Sequence, residues 1–191
     1  MNAELIFTLY SDKRTVFSFL EIAMLSGESD MARLKQRINY YVRTKKLINL
    51  RRGIYAKENY APEELACKIF KPAYISLEYV LQKEGIVFQY NPVITILSYL
   101  SRNLKIDNHQ LHYRKIKDNI LYNASGITMS STGISMATPE RALLDKLYLD
   151  QAYYFDSTTA LNKDKLVELL SVYQSARLEK TALTIIEHAR Y

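Results

Sequence analysis

Between Met31 and Lys57 the chain places nine lysine or arginine side chains and not one acid. A cluster of that kind does one sort of chemistry well. It binds polyanions, because each phosphate it neutralises releases condensed counterions. Spacing divides the cluster in two. Arg33, Gln36, Arg37 and Tyr40 recur at intervals of three and four, which puts them on one face of a helix. Arginine can hold guanine through O6 and N7, and glutamine can hold adenine, so this face carries the candidate base-reading residues. Arg43, Lys45, Lys46, Arg51 and Arg52 lie at the helix end and in the short runs beyond it. They are the candidate phosphate contacts. The field is local: residues 1–60 hold 11 basic and 6 acidic side chains, whereas residues 61–191 hold 15 and 14.

Three helices and a hairpin must position these groups. Asn2–Leu9 reads as a first helix with Leu5, Ile6 and Leu9 inward. Ser18-Phe19-Leu20-Glu21 has the form of a capping box, opening a second helix that ends near Leu25 and turns at Ser26-Gly27. Ser29 or Asp30 can cap the third, whose buried stripe is expected to be Met31, Leu34, Ile38, Tyr41 and Val42. Past Leu47, Ile48–Arg51 and Ile54–Lys57 alternate as short strands around Arg52-Gly53, where glycine permits a tight turn. Helix, helix, turn, helix, hairpin is the order of a winged helix-turn-helix. In that fold the third helix enters the major groove and the hairpin wing follows the backbone.

Glu58–Pro62 reads as a boundary, giving a domain at 1–60 and a second at 61–191. The expected fold class is α+β, an N-terminal winged helix-turn-helix followed by a mixed α/β domain. In the second domain Pro62–Phe70 and Ser76–Lys83 read as helices, the latter capped by Ser76. Val93–Leu100, Gln110–Lys117, Asn119–Tyr122 and Gly126–Ser130 read as strands. Thr138-Pro139-Glu140 starts a helix with a cap, a proline and an acid near the positive dipole end. Leu143, Leu144, Leu147 and Tyr148 form its apolar face. Lys163–Gln174 and Ala176–Ala189 close the chain as amphipathic helices.

Other polar groups are poorly placed for chemistry. His109 and His112 sit three apart on an expected strand and point to opposite faces, a poor arrangement for a metal. Cys67, the one cysteine, lies among Leu65, Ala66 and Ile69 and reads as a packing residue. One cysteine, and a start without a signal peptide's apolar run, predict a cytoplasmic protein. No apolar stretch is long enough to span a bilayer, so no membrane partner is expected. Ser125-Gly126 and Gly133-Ile134-Ser135 lack the context of a phosphate loop. Arg141 and Asp145 are spaced i,i+4 and read as a structural ion pair. Without DxD or ExK carboxylates for two metals, the expectation is no catalytic residue, no metal, no cofactor and no enzyme.

Three segments together have a familiar look: Leu50-Arg51-Arg52-Gly53-Ile54-Tyr55-Ala56, then Tyr74–Leu81 with Gly85-Ile86, then Ala137-Thr138-Pro139-Glu140-Arg141-Ala142-Leu143-Leu144-Asp145. Over about residues 13–150 the chain resembles the AbiEi-type antitoxins of bacterial abortive-infection toxin–antitoxin systems, which act in phage defence. The resemblance implies a winged helix that binds double-stranded DNA at its own promoter. It also implies a second domain that counteracts a nucleotidyltransferase-type toxin, a type IV system. Arg51 and Arg52 match the family's DNA-binding wing. Thr138, Glu140, Arg141 and Asp145 match its C-terminal motif, for which a structural role is expected. The competing expectation is a plain winged-helix regulator whose second domain senses a ligand or mediates dimerisation.

Overall fold

A computed structural model of the chain describes residues 2–151 and 153–188. Helices and strands are mixed throughout, and they gather into two compact units. The first comprises the chain up to Ile69 together with Ser131–Gly133; the second comprises Phe70–Ser130 and the chain from Ile134 on.

The first unit opens with α1 (Asn2–Ser11), β1 (Val16–Ser18) and α2 (Phe19–Ser26). The expected capping box is present: Ser18 Oγ accepts from the Glu21 amide at 3.2 Å, and the Glu21 carboxylate accepts from the Ser18 amide at 2.7 Å. Gly27 ends α2 at φ +61°, a left-handed turn that glycine adopts without strain. Asp30, one of the two expected caps, then accepts from the amides of Ala32 and Arg33 to start α3 (Met31–Arg43). Leu34, Ile38 and Tyr41 are buried with Leu5, Leu9, Phe17, Ile22, Leu47 and Tyr55 in one apolar core. Met31 departs from the expected stripe and is 44% exposed. Its phase is right, but it sits in the first turn, beyond the reach of that core.

Strands β2 (Ile48–Arg51) and β3 (Ile54–Ala56) form the expected antiparallel hairpin, with Gly53 at φ +77° in its turn. β1, not expected from the sequence, pairs with the other edge of β3 to give a three-stranded sheet in the order β1-β3-β2. Three residues are too few for an alternation signal. Helix α4 (Pro62–Ile69) belongs to this unit rather than to the second, so the boundary falls after Ile69 and not at residue 60. Its polar side chains explain why. Buried Glu64 accepts from the amides of Thr15 and Val16 at 2.6 and 2.9 Å, and Lys68 pairs with Glu21 at 2.7 Å. Cys67 is buried in the same helix.

The second unit is a six-stranded mixed sheet in the order β6-β7-β5-β4-β9-β8. Its elements run β4 (Ala73–Ile75), α5 (Glu78–Lys83), β5 (Ile94–Ser98), β6 (Arg102–Ile106), β7 (His109–Lys115) and α6 (Asp118–Leu121). Then come β8 (Ile127–Met129), β9 (Ser135–Ala137), α7 (Pro139–Asp150), α8 (Lys163–Leu170) and α9 (Ala176–His188). β5 lies parallel to β7, and β4 to β9; the other pairings are antiparallel.

Several expectations fail here for local reasons. Asn119–Tyr122 is not a strand but lies in the helical turn α6, where the amides of Leu121 and Tyr122 bond back to the carbonyls of Lys117 and Asp118. Ser76 does not cap α5; its hydroxyl donates to Asp145 instead, and Leu77 takes the cap position at φ +60°. Strands β4, β6 and β9 were not expected, because two are three residues long and β6 is largely polar. α8 is shorter than the expected Lys163–Gln174. Ala189, the expected end of the last helix, lies outside the described residues. No helix among the described residues is long and apolar enough to cross a membrane.

Candidate nucleic-acid interface

Burial of Leu34, Ile38 and Tyr41 turns the opposite side of α3 outward. Arg33, Gln36 and Tyr40 are exposed and Arg37 half-buried, and all four line one cavity of about 270 Å³ floored by Tyr41. The cavity is shaped by aromatics. Tyr40 meets Tyr41 edge-on, with ring centroids 6.0 Å apart, and the Arg43 guanidinium lies over the Tyr40 ring at 5.7 Å.

A tight connection joins α3 to the hairpin. The Lys45 amide bonds to the Val42 carbonyl at 3.1 Å, and the Lys46 amide to the Tyr41 carbonyl at 2.9 Å. Lys45 takes φ +57° to close this turn, while the Lys46 carbonyl accepts from the Tyr10 hydroxyl at 2.8 Å. The side chains of Arg43, Lys45, Lys46, Arg51 and Arg52 are all exposed. Lys57 is the basic residue of the stretch with a different use. Its ammonium donates to the Asp12 carbonyl at 2.6 Å and lies over the Phe17 ring.

The stretch is acid-free in sequence but not in space. Glu28, in the turn before α3, brings its Oε2 to 3.8 Å from both Arg33 Nε and Arg37 Nη1. Arg37 Nε is buried without a hydrogen-bond partner. Sequence spacing gives no hint of this carboxylate, because the chain turns between α2 and α3.

The C-terminal motif builds something different in the second unit. Thr138 Oγ1 caps α7 by accepting from the Arg141 amide at 3.3 Å, and the Glu140 carboxylate accepts from the Asn162 amide at 2.9 Å. Arg141 and Asp145 are fully buried and 3.4 Å apart. Arg141 also donates to the carbonyls of Ile120 and Ser125, each at 2.8 Å. Asp145 accepts from Ser76 Oγ and Tyr173 Oη at 2.7 Å and from Tyr74 Oη at 3.2 Å. Gly126 permits the close passage of the chain here, since a Cβ at that position would meet Arg141 Cβ at 3.0 Å. Burial pushes the Asp145 carboxyl up despite the Arg141 guanidinium, and pushes the Tyr74 and Tyr173 hydroxyls up as well. The phenols therefore stay protonated and remain donors. Tyr74 and Ser76 were missed as members of this network. Their i,i+2 spacing, which places both on one face of an extended segment, was the available signal.

A second polar group flanks it. Arg114 grips Asp150 through two hydrogen bonds of 2.8 and 2.6 Å, and Lys146 pairs with both Asp150 and Glu78. Burial lowers the Lys146 ammonium, but the two carboxylates outweigh it and the balance is upward. The Arg114 hydrogen bonds, helped by Lys146, hold the Asp150 carboxyl at about 2, and Arg14 does the same for Asp12 in the first unit. Both carboxyls are lowered relative to the unfolded chain, so they stabilise the fold above the ordinary carboxylate range. That contribution is lost as pH falls from about 4 through about 2. After screening, each is worth on the order of 1 kcal/mol. Thermal melts across that window should show a falling midpoint, and Asp150→Asn should flatten the fall for the second unit.

His109 and His112 both lie on β7. No protein-family model matches the chain, and no curated protein matches its sequence.

Proposed function

We propose that the chain is a DNA-binding transcriptional autorepressor and antitoxin of an AbiEi-like, type IV system, counteracting a nucleotidyltransferase-type toxin. In this reading the first unit is a winged helix-turn-helix: α3 reads base edges in the major groove, and the β2–β3 wing follows the phosphates. One observation carries it. The side chains suited to base edges, Arg33, Gln36, Arg37 and Tyr40, line a single cavity on the outer face of α3. Arg43, Lys45 and Lys46 at the helix end, and Arg51 and Arg52 on the hairpin, supply exposed cations for phosphate. No catalytic step is assigned to the chain. The Arg141–Asp145 network serves as the internal frame of the second unit, whose antitoxin role rests on the motif resemblance.

Salt tests the DNA reading. Binding to a duplex from the chain's own upstream region, followed by fluorescence anisotropy, should weaken with salt. About five phosphate contacts give a slope of log K against log salt of roughly −4 to −5. Salt-independent binding, or none, would sink the reading. Growth rescue on co-expression with a neighbouring nucleotidyltransferase tests the antitoxin half.

A plain regulator with a ligand-sensing second unit is the alternative. It is favoured by a cavity of about 430 Å³ at β6 and β7, whose lining includes the polar residues Asn103, Lys105, Gln110 and His112 as well as Val93 and Leu111. Loss of DNA binding on addition of a small metabolite, with no rescue of growth, would select it.

A further inference from the structure

We infer that Glu28 is a selectivity residue: its carboxylate competes with DNA phosphates for Arg33 and Arg37 and yields these arginines to guanine edges. This rests on the DNA-binding reading above. Glu28 is held for the task. Gly27 turns the chain out of α2, the Glu28 amide donates to Ser26 Oγ at 3.1 Å, and Glu28 Oε1 accepts from the Asp30 amide at 3.3 Å. That leaves Oε2 facing the two arginines at 3.8 Å, with the Glu28 side chain only 17% exposed.

The contact is loose for an ion pair, and a loose internal partner can be exchanged for a better external one. Arg37 is the more poorly satisfied. Its Nε is buried without a hydrogen-bond partner, and its Nη1 lies 3.8 Å from the Glu28 carboxylate. A guanidinium whose Nη1 is paired at 3.8 Å gains from a ligand that brings well-directed acceptors to its outer nitrogens. Guanine offers O6 and N7 in one plane, matching the guanidinium fork, so the exchange is favourable there. A phosphate passing at random must displace Glu28 and bring a second negative charge close to it. Like charges at that range repel, so random sequence binds less well than the number of cations implies. Glu28 thus lowers non-specific affinity and leaves cognate affinity nearly untouched.

The test compares wild type, Glu28→Gln and Glu28→Asp on two duplexes, one from the upstream region and one scrambled with the same composition. Glutamine keeps the acceptor for the Asp30 amide and removes the charge; aspartate keeps the charge and draws it back from Arg37. Glu28→Gln should bind scrambled duplex about 3- to 10-fold more tightly, with a salt slope steeper by about 1, and upstream duplex within 2-fold of wild type. Glu28→Asp should fall between. Equal tightening on both duplexes would make Glu28 a bulk charge and overturn the inference, as would unchanged binding to scrambled duplex. If wild type binds neither duplex, the DNA reading itself fails. If wild type binds with the expected salt dependence and the variants match it, only the role of Glu28 fails. Matching thermal midpoints for the three proteins exclude a folding defect, and Glu28→Asp alone decides the matter if Glu28→Gln does not fold.

Discussion

Asp145→Ala should destabilise the second unit by about 4 kcal/mol, read as a shift in the urea midpoint at unchanged slope. The size follows from what is left behind. Arg141 is fully buried, and without Asp145 its charge keeps the carbonyls of Ile120 and Ser125, the Tyr74 hydroxyl and the faces of the Tyr74 and Tyr173 rings, none of them an anion. Removing one member of a buried pair typically costs about 3–5 kcal/mol, because the survivor cannot be rehydrated. Ser76 and Tyr173 also lose their 2.7 Å acceptor. Replacing the pair together tells a frame from a site. Arg141→Met combined with Asp145→Leu should recover part of the loss, since it removes the unpaired charge. The Ser76 and Tyr173 hydroxyls and the Ile120 and Ser125 carbonyls stay without their partners. A loss below about 1 kcal/mol in the single variant would remove the structural role altogether.

The second large effect separates reading from gripping. Arg37→Ala should cost about 1–3 kcal/mol on the cognate duplex, a factor of roughly 5 to 150, and little on scrambled DNA. The Arg51→Ala/Arg52→Ala double variant should weaken both duplexes alike and flatten the salt slope by about 2. The two outcomes differ because a base edge carries sequence information and a phosphate does not. Arg37 lines the α3 cavity with its guanidinium half-buried, whereas Arg51 and Arg52 stand exposed at the hairpin. If Arg37→Ala lowers affinity for every sequence equally, the face of α3 is not a reading surface.

Much of the first unit was legible in the sequence, because its signals are local. Ser18 and Glu21 announce a helix start within four residues, Leu34, Ile38 and Tyr41 recur at helical spacing, and Gly53 marks a two-strand turn. Met31 shows the limit: periodicity gives phase, but the extent of the core decides which turn is covered. Where side chains are committed to distant partners, local reading failed. Ser76 looks like a cap and instead donates to Asp145, and Glu64, in the first turn of α4, accepts from the amides of Thr15 and Val16, 49 and 48 residues away. The same holds for the candidate interface. The faces of α3 could be read from spacing, but Glu28 could not, because its position depends on the turn that precedes the helix.

The Arg141–Asp145 knot also bears on the order in which the molecule takes shape as it leaves the ribosome. Asp145 is bonded to Tyr74, 71 residues earlier, and to Tyr173, 28 residues later. Contacts of such separation form late, since a long loop must be closed before any reward is gained. Asp145 has its full set of donors only after Tyr173 has been synthesised. The first unit, apart from Ser131–Gly133, is built from residues up to Ile69, which have emerged well before that. The nascent chain therefore carries the arginine-bearing helix, the hairpin and the whole of their Leu5-to-Tyr55 apolar core while the rest is still being made.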